Sequence, residues 1–182
     1  YTICTALLIA LLARPTLAKP NIVFIYTDDQ APFAVNAAGD SRFITPNIDR
    51  IFNEGAHLTN SFVTTPVCSP SRVGLITSRY GSEFGITDWI NPGNEKQIGL
   101  PKDALTFPQL FQAAGYATGL FGKWHLGIQN HHHPTQFGYD LFAGIRVGGC
   151  PPKDPVMETL DGEIKKVEGY TCDIFTDHTI DF

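Results

Sequence analysis

Short apolar runs alternate with amphipathic stretches along most of the chain. Residues 21–27 form a nearly continuous apolar run rich in β-branched and aromatic side chains, which is typical of a strand buried on both faces. Residues 57–63 and 117–121 are also predicted to be strands. Strands that alternate with helices predict parallel pairing, and therefore an α/β fold with a mostly parallel central sheet.

Helix signals separate these runs. Apolar residues recur at helical spacing, with a polar cap or an early proline at the start, in three segments: 45–55, 69–77 and 106–115. In the second segment Ser69 is the expected N-cap and Pro70 the first helical residue. Two longer stretches, 81–101 and 127–138, are predicted to be loops that shape a site.

The composition is that of a globular protein with a substantial core. The chain has 182 residues, of which 43% are hydrophobic and 17% charged, and its formal net charge is −5. Charged residues are spread without runs, so nothing in the pattern indicates a nucleic acid partner. No stretch has the composition of a linker, and one domain is therefore expected.

The first 18 residues are predicted to be a secretory signal peptide that lacks its start. An apolar run over residues 3–12 is followed by Thr16-Leu17-Ala18, which suits a cleavage site. The run is too short for a comfortable membrane-spanning helix, so no span is expected in the mature chain. A lipoprotein or an uncleaved anchor is the alternative. Export to a periplasm or the cell exterior follows.

The four cysteines divide by context. Cys4 lies in the predicted signal peptide, and Cys68 lies in a motif with reactive character. In an oxidising compartment Cys150 and Cys172 could form a disulfide. Two buried or partnerless thiols remain the alternative, because the sequence does not supply the distance between them.

The motif C-x-P-x-R at residues 68–72 combines a thiol, a helix start and a cation. Cys68 is placed at the positive end of a helix dipole, where a thiolate or an oxyanion is favoured. Arg72 offers a guanidinium fork that suits a tetrahedral oxyanion. Taken alone, the motif could equally be a buried structural cysteine beside a surface arginine.

Two further pairs of side chains suit ion binding. Asp28 and Asp29 follow the first predicted strand, and adjacent carboxylates suit a hard cation, although such a pair is often only a turn. Lys123 and His125 are two residues apart, which in extended backbone puts both on one face. Trp124 between them is predicted to pack in the core.

Other histidines and a tryptophan carry weaker signals. Residues 131–133 are three histidines in a loop; a solvated loop is the favoured interpretation, with substrate lining and a second metal site as alternatives. His57 and His178 are interpreted as structural. Trp89 could stack on an aromatic or sugar ring, or it could anchor its loop.

Together these motifs resemble the formylglycine-dependent, arylsulfatase-like sulfatases. Residues 68–81 are similar to the first signature of that family, residues 115–127 to the second, and residues 21–30 to its opening strand and metal-binding acid pair. One departure is Ser78, where a small glycine is usual. The three matches occur in the family's order and cover most of residues 20–142.

The resemblance implies an alkaline-phosphatase-like α/β sandwich. Residues 19–182 are then expected to be the N-terminal part of a sulfatase catalytic domain, truncated at its C-terminus. Further metal ligands of the family come from later in the chain. We therefore expect the 182 residues alone to bind metal weakly and to be inactive.

The resemblance also implies a modified nucleophile and a metal. In this family a formylglycine-generating enzyme oxidises the motif cysteine, here Cys68, to formylglycine, whose aldehyde hydrates to a gem-diol. One diol oxygen attacks sulfur, and the resulting sulfated hemiacetal releases sulfate by C–O cleavage. Asp28, Asp29 and the modified Cys68 are the implied ligands of a divalent cation, Ca²⁺ with Mg²⁺ as the alternative.

The implied activity is hydrolysis of sulfuric esters. Arg72 orients the diol and, with Lys123, binds sulfate, while His125 hydrogen-bonds the nucleophilic diol. Substrates would be a sulfated small molecule or a sulfated polysaccharide. The alternatives are a phosphonate monoester hydrolase or phosphodiesterase of the same superfamily, and an unmodified, non-catalytic sulfate-ester binding protein.

Overall fold

The computed structural model describes residues 19–182 apart from Pro32 and Asp40. The signal peptide predicted over residues 1–18 therefore lies outside the described residues. The chain divides between His57 and Leu58 into two compact units.

The first unit contains the helix Pro46–Glu54 and a short 3₁₀ helix, Asn36–Ala38. The carboxylate of Asp49 accepts hydrogen bonds from the Thr45 hydroxyl at 2.8 Å and from the Ala37 N–H at 2.9 Å. The helix predicted over residues 45–55 is confirmed, since its signals are local.

The prediction of strands over residues 21–27 and 57–63 is wrong, because the structure assigns no strand to either segment. Apolar side chains of the first segment are exposed, Val23 by 68% and Ile25 by 73%. A strand forms only where a neighbour completes its hydrogen-bond ladder. An apolar run alone cannot supply that neighbour.

The second unit contains three α-helices and three 3₁₀ helices. The α-helices are Cys68–Thr77, Phe107–Ala113 and Thr171–Asp181. The 3₁₀ helices lie in the predicted loops and are Gly81–Phe84, Asn130–His132 and Pro134–Phe137. We call the first α-helix the Cys68 helix and the second the Phe107 helix.

The start of the Cys68 helix differs from the prediction. Val67, in extended conformation, is the N-cap, and Pro70 is the third helical residue. Proline is tolerated there because the N–H groups of a first turn have no partner within the helix. Ser69 is not the cap, and its hydroxyl accepts a hydrogen bond from another segment.

Four strands form one mixed sheet in the order β1-β2-β3-β4: β1 Gly119–Lys123, β2 Leu141–Ile145, β3 Val156–Glu158 and β4 Ile164–Lys166. β1 and β2 are parallel, whereas the other two pairs are antiparallel. The α/β class is confirmed. The sheet is less parallel than expected because a tight turn joins β3 to β4, and such a connection permits only antiparallel pairing.

β2 separates two hydrophobic clusters. Phe142 belongs to a larger cluster that also contains Val73, Ile86, Trp124 and Phe137. Ala143 and Ile145, on the opposite face of β2, pack with Met157 and with the helix Thr171–Asp181. β2 is therefore buried on both faces, as a central strand should be.

We expect Gly144→Ala to lower the free energy of unfolding by about 1–3 kcal/mol. A Cβ at position 144 would overlap the backbone carbonyl of Gly122 on β1, so the parallel pair would have to separate. Chemical denaturation of the full-length protein measures this. Gly149→Ala is the matched control, because a Cβ there meets no described atom within 4 Å. Equal stability of the two variants would contradict the close approach.

Asp140 joins the starts of β1 and β2, and its contribution depends on pH. Its carboxylate accepts hydrogen bonds from the Thr118 N–H at 2.8 Å and from Gln112 Nε2 at 2.6 Å. The bond from the Thr118 backbone, opposed by slight desolvation, lowers the pKa of Asp140 below its usual range. A depressed pKa stabilises the fold above the unfolded value near 3.9, and this is lost as pH falls.

Asp140→Asn should therefore destabilise the protein at pH 7 and matter progressively less below about pH 4. Urea unfolding of the variant and the parent across that range measures the difference. Asp103→Asn, at an exposed position, is the control and should show no such convergence. A difference independent of pH would contradict a role for the carboxylate charge.

Candidate active site

Cys68 is the first residue of its helix and is half-buried. The extended residue before it brings the chain directly onto the helix N-terminus. The N-terminus of a helix carries the positive end of the helix dipole. The predicted position of Cys68 at a helix N-terminus agrees with the structure.

Arg72 ties the Cys68 helix to the end of β1. Its Nη1 donates a hydrogen bond to the carbonyl of Lys123 at 2.6 Å. The phenol of Tyr139 lies within the field of this guanidinium; burial raises the pKa of Tyr139 to about 12, and the Arg72 charge opposes the rise. The motif arginine and the motif lysine are therefore brought together through the backbone.

The strand carrying Lys123 ends before His125. Lys123 is the last residue of β1, and His125 has a φ of 57°, in the left-handed region. The shared-face argument assumed extended backbone at both residues, so it does not apply to His125. His125 is instead placed by a contact of its ring, which is 2% exposed.

That contact is made to the buried backbone of Ile90, a residue of the predicted loop 81–101. The Ile90 N–H donates to Ser69 Oγ at 3.0 Å, and the Ile90 carbonyl accepts from His125 Nε2 at 2.9 Å. Ile90 itself is 3% exposed. The backbone of one residue, through the two peptide groups that flank its Cα, thus connects the residue after Cys68 with the histidine of the second motif.

Trp124 packs as predicted. Its indole N–H donates to the carbonyl of His132 at 2.8 Å, and its ring lies 5.7 Å from the ring of Phe137. Burial of a tryptophan with its N–H satisfied is the usual arrangement in cores.

The solvated loop favoured for residues 131–133 is wrong for two of the three histidines. His132 is 4% exposed, and its ring lies against Gly99 and Gly127, where a Cβ would overlap it. Burial lowers the pKa of His132. His133 is largely buried and contacts Glu158, whereas His131 is exposed. The sequence signal for this burial was the pair Gly99 and Gly127, because glycines have no side chain and leave room for the ring of His132.

Sequence reasoning missed a buried ionic cluster at the end of β2. Glu158 Oε1 accepts from His133 Nε2 at 2.8 Å, and Glu158 Oε2 lies 3.1 Å from Arg146 Nε. Arg146 also donates to the Ile128 carbonyl at 3.1 Å. The only signal in the sequence was that charged residues stand beside apolar runs. A charge that is buried with such a run needs a partner of opposite charge.

The acid pair lies in the first unit. Asp28 and Asp29 are exposed at a bend after residues 21–27, and Asp29 has a φ of 54°. Carboxylate oxygens suit a hard cation such as Ca²⁺ or Mg²⁺, so the donor set fits the expected metal. Two carboxylates are fewer than the roughly six to eight ligands that Ca²⁺ takes. Among the described residues, no three His, Cys, Asp or Glu side chains group to hold a metal.

The remaining candidates are Trp89, His178 and His57. Trp89 is 47% exposed beside the anchored Ile90. His178 stacks on Phe121 with ring centroids 5.9 Å apart, and the ring of His57 lies 3.9 Å from that of Phe52.

Within the described residues, Cys150 and Cys172 form no disulfide. Burial raises the pKa of Cys150, whereas Cys172 is exposed. Across residues 19–182, apart from the two gaps, none of the helices has the length and apolar character that spanning a membrane requires.

Comparison with known proteins assigns the family. The Sulfatase family profile matches residues 20–182. Human steryl-sulfatase is 37% identical over 138 residues, covering 70% of this chain and 24% of that protein. The N-acetylglucosamine-6-O-sulfatase of Bacteroides thetaiotaomicron is 35% identical over 165 residues, covering 90% of this chain and 27% of that protein.

Solved structures agree with the sequence comparison. The structure of a protein in complex with its substrate D-glucosamine-2-N,6-O-disulfate superposes with a TM-score of 0.74 at 34% identity, covering 90% of this chain and 31% of that one. The chain spans about a quarter of the length of the curated relatives it matches. The matching profile, the relatives and the shared fold lead to one conclusion: this chain belongs to the sulfatase family.

Proposed function

We propose that the protein hydrolyses sulfate monoesters and that Cys68 is converted to formylglycine, whose hydrated aldehyde supplies the attacking oxygen. The observation that carries the proposal is the joining of the two motifs. Ser69, next to Cys68, is linked to His125 through the backbone N–H and carbonyl of Ile90, and Arg72 donates a hydrogen bond to the Lys123 carbonyl.

Each charged side chain then has a role. Arg72 and Lys123 bind the sulfate oxygens, and Arg72 also orients the modified Cys68. His125 accepts a hydrogen bond from the nucleophilic hydroxyl. Fixed positive charge around the oxyanions that develop in the transition state makes the largest contribution to the rate enhancement, since one hydrogen-bond donor of this kind is often worth about 10²–10³ in rate.

Asp28 and Asp29 would hold the cation, Ca²⁺ or alternatively Mg²⁺. When bound, the metal neutralises sulfate charge and makes the nucleophilic hydroxyl more acidic. The pair's adjacency supports this role, because two neighbouring carboxylates repel each other unless a cation lies between them.

The substrate class follows from the relatives. An N-acetylglucosamine-6-O-sulfatase and a protein bound to a disulfated glucosamine are among them. We therefore propose a sulfated sugar, free or within a polysaccharide, as substrate. A signal peptide over residues 1–18 would direct the protein to the periplasm or cell exterior, and a formylglycine-generating enzyme would act on Cys68 during maturation.

Tandem mass spectrometry of the full-length protein tests the nucleophile. The tryptic peptide 51–72 should carry an aldehyde at position 68 that a hydrazine reagent traps. The protein should cleave an aryl sulfate faster than an aryl phosphonate, and Cys68→Ala should lose turnover by at least about 10³-fold.

The alternatives give different results in the same experiment. Faster cleavage of the phosphonate would make the protein a phosphonate hydrolase of the superfamily. An unmodified, alkylatable Cys68 in protein from cells that have the maturation enzyme would leave a sulfate-ester binding protein.

Removal of metal should abolish turnover reversibly. A chelator should inactivate the full-length enzyme, and Ca²⁺ or Mg²⁺ should restore it. Asp28→Asn should raise the metal concentration needed for half-activity by about tenfold or more. Asp103→Asn, at an exposed position, is the matched control. Full activity after exhaustive chelation would overturn the metal assignment.

A further inference from the structure

The backbone of Ile90 is hydrogen-bonded at both its N–H and its carbonyl in a buried part of the molecule. Its N–H donates to Ser69 Oγ at 3.0 Å, and its carbonyl lies 2.9 Å from His125 Nε2. Ser69 is 0% exposed and His125 is 2% exposed. Because water does not compete at this depth, each bond fixes the group that it holds.

The direction of the second bond determines the tautomer of His125. A carbonyl oxygen can only accept a hydrogen bond, so Nε2 must carry the proton. In the neutral ring the acceptor lone pair then lies on Nδ1. Ile90 therefore specifies which nitrogen of His125 acts as an acceptor, although it contributes no side-chain chemistry.

The ring of His125 is also confined by Gly148. A Cβ at position 148 would lie 2.7 Å from Cε1 and 3.0 Å from Nε2 of the ring. Glycine is required there for the ring to keep its contact with Ile90. The position of the His125 ring is therefore restricted in two ways: Gly148 lies close to one side of it, and Nε2 is hydrogen-bonded to the Ile90 carbonyl.

We propose that Ser69 is a positioning residue for His125. Its hydroxyl anchors the backbone of Ile90 at the N–H, and the carbonyl of the same residue keeps His125 protonated on Nε2, with Nδ1 as the acceptor for the hydroxyl of the modified Cys68. The inference rests on the proposed function for that last step. Ser69 thus contributes to catalysis without contacting the substrate.

The test compares Ser69→Ala with Ser69→Thr in the full-length protein. Mass spectrometry gives the formylglycine content, so that kcat refers only to modified molecules. Ser69→Ala should lower kcat by about 10- to 100-fold with KM changed less than about threefold. Ser69→Thr keeps the hydroxyl and should stay within about threefold of the parent in kcat.

The matched control is Thr106→Ala. Thr106 is 1% exposed, and its hydroxyl donates to the Phe137 carbonyl at 2.6 Å, so the variant also loses one buried side-chain hydrogen bond. It should lower thermal stability and leave kcat per modified molecule unchanged. A similar fall in kcat for Thr106→Ala would reduce Ser69 to a merely structural role.

A spectroscopic measurement separates the inference from the proposed function. In protein with ¹⁵N-labelled histidine, the His125 signal is identified by its loss in His125→Gln. It should show a proton on Nε2 in the parent and mixed tautomers in Ser69→Ala.

If that change occurs but the parent cleaves no sulfate ester, the proposed function fails and the positioning role stands. If the parent cleaves sulfate esters but Ser69→Ala keeps both its tautomer and its kcat, the inference alone is overturned.

Discussion

The hydrogen bond from the backbone N–H of Trp124 to the Ile145 carbonyl, at 2.9 Å, extends the β1–β2 ladder beyond Lys123, the last residue of β1. Parallel strands end at the same edge of a sheet, so this bond sets the segment after β1 beside the segment after β2. The ring of His125 consequently lies against Gly148. The rest of the described site depends on this alignment.

Local signals made the helices predictable. A threonine followed by an early proline marked the helices that begin at Pro46 and Phe107, and both occur in the structure. The Cys68 helix was also predicted, but its first residue was misplaced because the Ser69 hydroxyl serves a distant peptide. The strand over residues 21–27 failed for a related reason, since its partners cannot be read from a local pattern.

The site was predictable in its chemistry and not in its connections. The motif residues Cys68, Arg72, Lys123 and His125 carry functional groups that a sequence displays. The group that links the Cys68 helix to His125 is the backbone of Ile90, and a backbone contact cannot be recognised from residue type. The buried pair Arg146 and Glu158 escaped detection because neither residue belongs to a motif, and their proximity arises only from the pairing of β2 with β3.

The two adjacent glycines after β2 differ in the space that surrounds them. Gly148 faces the ring of His125 closely, so any larger side chain there would displace that ring. Gly149, one residue further on, faces open space among the described residues. A substitution at position 149 should therefore leave His125 in place, whereas one at position 148 should move it, so two neighbouring positions differ in which side chains the site tolerates.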